Sequence, residues 1–166
     1  AFKKKVHAKY AVSVNSCTAA LHLALKVLDI RENDEIIIPS MTFAATGEVV
    51  RYFNAKPVIV DVDRGTHNIL TDEIEKNITS KTRAIIPVHF GGHPAEMDEI
   101  NGIAETHNVK VVEDAAHCFP SLYRGRPVGS LSDITAFSFY ATKTIAMGEG
   151  GLAATDIEEL AERMSL

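Results

Sequence analysis

Four short stretches of this chain carry apolar residues at adjacent positions: Glu35-Ile36-Ile37-Ile38-Pro39, Arg83-Ala84-Ile85-Ile86-Pro87-Val88, Val111-Val112 within Val109 to Glu113, and Ala136-Phe137 within Asp133 to Phe139. A strand that is apolar on one face can lie at a surface. One that is apolar on both faces must be covered twice, and that is the requirement of a parallel sheet sandwiched between helices. Helical patterns fill the intervals. From Thr18, the residues Leu21, Leu25 and Leu28 recur at helical spacing, and Ala20, Ala24 and Val27 widen the stripe. Phe43 to Phe53 carries Val49, Val50 and Phe53 on one side, and Glu96 to His107 turns Met97, Ile100 and Ala104 inward. Thr71 stands where it would cap an acidic-start helix from Asp72 to Ile78.

Further strands are expected at Tyr10 to Val14, Lys56 to Val62 and Gly151 to Thr155, and Tyr123 to Gly129 reads as a hairpin. Strands alternating with helices predict an α/β three-layer sandwich around a mostly parallel sheet. With 166 residues, the chain suffices for one domain with a real core, spanning 1–166. It opens without a methionine and closes, from Leu160 to Leu166, inside an amphipathic pattern, so it reads as a piece of a longer protein.

The formal net charge of −5 argues against nucleic acid as the main partner, because phosphate contacts need a basic face. No apolar run approaches a membrane span, and the start lacks the apolar core of a signal peptide. Two cysteines, Cys17 and Cys118, sit in apolar sequence and suggest no disulfide framework, which fits a reducing compartment, the cytoplasm by default. Asn77-Ile78-Thr79 matches a glycosylation sequon, a pattern common by chance.

In sheets of this class ligands gather at the carboxyl ends of the strands. Four positions fall there. Ser16-Cys17-Thr18 offers hydroxyls and free amides at a helix start, suited to a phosphate or simply to capping. Thr42-Phe43 follows a strand, and Phe43 could stack on a flat ring or belong to the core. Asp114 ends a buried strand in tight surroundings, so its charge needs a cationic partner. A protonated pyridine nitrogen would serve, as in pyridoxal phosphate sites; so would Arg124 or Arg126. His117 could reach a cofactor or Asp114, or be a satisfied core histidine. Ser138 could add a hydroxyl to the phosphate or satisfy a strand end. Five residues on, Lys143 enters a loop closed by Gly148-Glu149-Gly150-Gly151, where partial desolvation would free its amine for Schiff-base chemistry; a solvated loop lysine is the ordinary alternative.

Other chemistries fit poorly. His89 and His93 are four apart, but Gly91-Gly92 prevents the helix that would present both to a metal, and no metal site is expected. The chain has no Walker loop and no G-x-G-x-x-G fingerprint, and Gly148 to Gly151 is followed by a strand, not a helix. Cys17 as a nucleophile has no assigned histidine, so a buried or lining thiol is the better reading.

Taken in order, these pieces resemble the DegT/DnrJ/EryC1/StrS family of pyridoxal-phosphate-dependent sugar aminotransferases. They are Val14 to Leu25, Pro39-Ser40-Met41-Thr42-Phe43-Ala44-Ala45-Thr46, Ile86-Pro87-Val88-His89-Phe90-Gly91-Gly92, Glu113-Asp114-Ala115-Ala116-His117, and Ser138-Phe139 through Lys143 to Glu149-Gly150-Gly151. The resemblance implies the large domain of the fold type I transferases, without the smaller C-terminal domain. It implies that Lys143 forms the Schiff base and shuttles the proton, and that Asp114 pairs with the pyridine nitrogen. Cys17, Thr18 and Ser138 would hold the phosphate, with Phe43 stacked on the ring and His117 beside it. The implied reaction moves an amino group, generally from glutamate, through pyridoxamine phosphate to a keto carbon of a nucleotide-linked deoxysugar, in a homodimer with shared active sites. Cys17 departs from the family's usual glycine. Two alternatives are a sugar dehydratase relative, which would carry histidine in place of Lys143, and a catalytically silent α/β binding or assembly module. An aminotransferase acting on amino acids is a third.

Overall fold

The computed structural model describes residues 1–165. Its centre is a seven-stranded sheet. In chain order the strands are β1 (Tyr10–Val14), β2 (Glu35–Pro39), β3 (Lys56–Val60), β4 (Thr82–Ile85), β5 (Lys110–Asp114), β8 (Ile134–Ser138) and β9 (Gly151–Thr155); β6 (Leu122–Tyr123) and β7 (Arg126–Pro127) form a separate antiparallel hairpin. The spatial order is β1-β9-β8-β5-β4-β2-β3. Only β9 runs against the others: it pairs antiparallel with both β8 and β1, which leaves β1 parallel to the rest.

Period-two alternation splits the apolar strands between two cores. Ile37, Ile85 and Val111 face one way, toward α4 (Thr71–Asn77), α5 (Met97–His107) and the short α1 (Phe2–Lys5) with its following Val6. Ile36, Ile38, Ala84, Ile86 and Val112 face the other, toward α2 (Cys17–Val27), α3 (Ala44–Arg51) and α6 (Glu158–Ser165). These are the three layers expected. The α2 stripe is buried as read, at Ala20, Leu21, Ala24, Leu25 and Val27, while Leu28 lies past the helix end and is half-buried. No helix among the described residues is long and apolar enough to cross a membrane.

Three local expectations are corrected. β4 ends at Ile85, short of Val88, because Pro87 has no N–H to give the ladder; the chain stays in register through Ile86 N to Ile37 O (2.8 Å) and a Val88–Asp114 bridge. β3 stops at Val60, and Val62 instead bridges antiparallel to Ile69. Thr71 is the first residue of α4, whose N-cap is Leu70, and its hydroxyl donates to Glu99 Oε2 at 2.8 Å. Leu166, the last residue of the expected C-terminal helix, lies outside the described residues.

The start of β9 presses on the start of α2. A Cβ on Gly151 would overlap the carbonyl carbon and oxygen of Ser16 and lie 2.7 Å from the Cys17 nitrogen. Both neighbours are backbone, so nothing can swing aside. We expect Gly151→Ala to lower unfolding free energy by about 3 kcal/mol; a urea midpoint and slope equal to wild type would show that β9 and α2 are free to separate.

Candidate active site

Because β1, β2, β4, β5 and β8 point the same way, the segments leaving them meet at one edge of the sheet. A cavity of about 720 Å³ opens there. Cys17, Thr18, Phe43, Asp114, His117, Ser138 and Lys143, the residues singled out from sequence, all line it.

On one wall is the N-terminus of α2. Ser16 is its cap, accepting from Ala19 N at 3.1 Å, so that hydroxyl is occupied. The amides of Cys17 and Thr18 have no acceptor among the described residues and sit at the positive end of the helix. Beside it, paired with the Gly151 that abuts Ser16 and Cys17, Ser138 ends β8, and its Oγ accepts from Tyr140 N at 3.3 Å. These groups form a cradle for an anion.

Phe43 is the N-cap of α3 and is 79% exposed. A core role is therefore excluded, and its ring is free to cover a flat ligand. His117 also departs from the core alternative: it is exposed on the cavity wall. Burial and the Lys143 ammonium hold its imidazole below the usual histidine range, against a smaller opposing pull from Asp114, so it is neutral at pH 7. Its backbone is set by Gly92 (φ +87), where a Cβ would stand 2.8 Å from the His117 carbonyl oxygen.

Asp114 is only 5% exposed. The arginines considered as partners are spent elsewhere: Arg124 on Asp98 (2.7 Å) and Glu96, and Arg126 on Asp98 (2.8 Å). Among the described residues its carboxylate has no ion-pair partner within 4.0 Å. Oδ1 accepts from Ala116 N (3.2 Å) and faces the Cys17 thiol (3.9 Å); Oδ2 accepts from Thr46 Oγ1 (2.9 Å). Burial and then the Asp114 charge push the Cys17 thiol well above the ordinary range, with Lys143 opposing, so it is a protonated lining group and not a nucleophile. Both cysteines are free, and burial raises Cys118 to about 12.

Two polar features escaped the sequence reading. One is Thr46, fully buried against Asp114. It stands four residues after Thr42, a spacing that puts both hydroxyls on one side of a helix start and was the available signal. The other is a buried hub on Glu113. Its Oε1 accepts from Ser132 (2.6 Å) and Thr135 (2.8 Å), and its Oε2 meets His89 Nε2 at 2.8 Å. His89 Nδ1 accepts from Ala95 N at 3.1 Å, so its proton lies on Nε2 and the ring is neutral. Both ring nitrogens are thereby used, and the cavity floor beside Asp114 is held from both strands.

The site thus combines an anion cradle, an aromatic cover, a buried carboxylate without a cation, and a half-buried amine, Lys143, in the β8–β9 connection. The family model of the DegT/DnrJ/EryC1/StrS aminotransferases matches residues 1–166.

The chain belongs to the DegT/DnrJ/EryC1/StrS aminotransferase family.

Among relatives of this family, the chain is 48% identical to the spore coat polysaccharide biosynthesis protein SpsC of Bacillus subtilis over 98% of its own length and 42% of the relative's. It is 43% identical to GDP-perosamine synthase of Escherichia coli O157:H7, covering 98% of the chain and 44% of the relative. Solved structures give the same picture. DesV of S. venezuelae, in complex with a ketimine intermediate, superposes with a TM-score of 0.95 at 42% identity, covering 98% of this chain and 44% of that one. NtdA of Bacillus subtilis, with bound cofactor PMP, superposes at 0.92 and 34% identity, covering 98% and 37%. The chain therefore spans less than half the length of these relatives, within the fold that the family's aminotransferases share.

Proposed function

We propose that the cavity binds pyridoxal phosphate, with pyridoxamine phosphate as its alternate form, and supports transfer of an amino group from glutamate to a keto carbon of a nucleotide-linked deoxysugar. The observation that carries this reading is Asp114: a buried carboxylate, without a cationic partner among the described residues, lining the same cavity as a half-buried lysine. A pyridine nitrogen that carries a proton is the cation such a carboxylate requires, and the bound cofactor supplies the electron sink for chemistry at the amino-bearing carbon.

Each residue then has a role. Lys143 Nζ is the point of covalent attachment and the base that holds and returns the proton. Asp114 keeps the ring nitrogen protonated. The amides of Cys17 and Thr18, with Ser138, bind the phosphate, Phe43 covers the ring, and neutral His117 lines its edge. Cys17 costs the site little as a replacement for glycine, because its side chain turns toward Asp114 and leaves its amide at the cradle. Lysine at 143 disfavours the dehydratase alternative, and the names of the relatives support a sugar acceptor over an amino acid.

An apolar rim of Met41, Phe43, Tyr140, Ile145 and Met147 is exposed at this end of the sheet. A patch of this kind marks an interaction surface, and it supports a homodimer in which a second copy covers the mouth and completes the substrate site.

The test is reductive trapping. After loading with pyridoxal phosphate and reduction with borohydride, a peptide map should carry the phosphopyridoxyl mass on Lys143. With glutamate as donor, keto-sugar nucleotides should be aminated, and free keto acids other than the 2-oxoglutarate that glutamate itself yields should not. Label on another lysine, or on none, would refute the assignment.

A further inference from the structure

The carboxylate of Asp114 is oriented by the hydroxyl of Thr46, a residue given no role among the site residues above. A carboxylate can only accept, so Thr46 Oγ1 must donate its proton to Asp114 Oδ2 across their 2.9 Å contact. Thr46 is fully buried. With its proton committed, its oxygen must act as acceptor toward Thr42 Oγ1, 2.7 Å away. The direction of this two-hydroxyl chain is thus fixed: Thr42 to Thr46 to Asp114. Thr42 is half-buried, lines the cavity and immediately precedes Phe43, while Thr46 sits in the first turn of α3. The contact therefore ties α3, and with it the aromatic cover, to the tip of β5. On the other oxygen, Ala116 N–H and the Cys17 thiol complete the set. With Oδ1 and Oδ2 each held, rotation of the carboxylate about its own axis would sacrifice a buried hydrogen bond.

We propose that Thr46, supported by Thr42, is the positioning residue that fixes the Asp114 carboxylate for its bond to the cofactor's ring nitrogen and sets Phe43 at a constant height above the same ring. This rests on the assignment of Asp114 in the preceding subsection. Threonine is suited to the task. The hydroxyl supplies one donor and one acceptor, and the methyl group fills the apolar side of α3. Valine is its near-isostere without either polar function.

The experiment compares wild type, Thr46→Val and Thr46→Ser in the full-length protein, reading pyridoxal phosphate affinity and the ¹⁵N chemical shift of ring-labelled cofactor. Thr46→Val is expected to raise the dissociation constant about tenfold, equivalent to about 1.4 kcal/mol, and to move the ring-nitrogen resonance toward that of unprotonated pyridine. Thr46→Ser should stay within about threefold of wild type with its resonance unmoved. Thr42→Val, at a half-buried position better able to tolerate change, should shift the resonance in the same direction by less, and it keeps the inference testable if Thr46→Val folds poorly. Equal weakening by Val and Ser at position 46 would assign the effect to packing and overturn the proposal. So would a wild-type resonance in Thr46→Val and Thr42→Val alike. If Asp114→Asn leaves the wild-type resonance unchanged, the assignment of Asp114 itself is wrong; if that variant shifts it and the threonine variants do not, only the role of Thr46 falls.

Discussion

Lys143→Ala should eliminate the visible absorption that the wild-type protein acquires with pyridoxal phosphate, and lower amino transfer by roughly ten-thousandfold. The size follows from two losses at one atom. In the proposed reading Nζ attaches the cofactor, and because it is the only lysine amine lining the cavity among the described residues it would also carry the proton to and from the reacting carbon. Small primary amines added to Lys143→Ala should recover part of the rate, since they can enter the space the side chain vacates; packing damage would not be repaired this way. A variant with the wild-type spectrum would mean that Lys143 forms no bond to the cofactor, and the silent-module reading would gain.

Asp114→Asn is expected to cost roughly a hundred- to a thousandfold in turnover, the scale for losing one pre-oriented electrostatic partner. The substitution preserves shape but places a neutral amide where the charge was. With the amide oxygen in the Oδ1 position Ala116 N–H keeps its acceptor, and the Thr46 hydroxyl, 2.9 Å from the other position, can turn to accept from the new NH2 group, so the fold should persist. The expected pattern is a fall in turnover with cofactor retained. It is measured by steady-state rates on protein whose bound cofactor has been quantified. Turnover near wild type would remove Asp114 from the ring nitrogen. The neighbouring Glu113 offers a contrast: it is just as buried but faces Ser132, Thr135 and His89, away from the reaction.

The layers were legible because Ile36, Ile37 and Ile38 are apolar in succession, and only a sheet covered on both sides gives all three a home. Gathering of the site residues followed from the same logic, since each was placed at a strand end. Strand order was not legible. Gly151-Leu152-Ala153-Ala154-Thr155 is apolar on both faces like its neighbours, and nothing in those side chains records that β9 runs the other way. Thr71 misled because a threonine before acidic residues reads as a cap, whereas a partner distant in sequence, Glu99, takes its hydroxyl. Thr46 and Glu113 were passed over for a related reason. Their partners, Asp114 and His89, come from other segments; the spacing of Thr42 and Thr46 could mark a polar helix start but not the carboxylate it meets.

The reversed direction of β9 decides how Lys143 is mounted. Every parallel neighbour must be reached by a crossover, but the chain leaves β8 and returns beside it on β9, held by Phe139 N to Gly150 O and Met147 N to Phe139 O, each 2.8 Å. Lys143 therefore rides on a hairpin tip anchored at its base, with its own amide bonded back to Tyr140 O at 2.9 Å. The reach of this amine into the cavity is therefore set by two strands of the central sheet, one on each side of the connection that carries it.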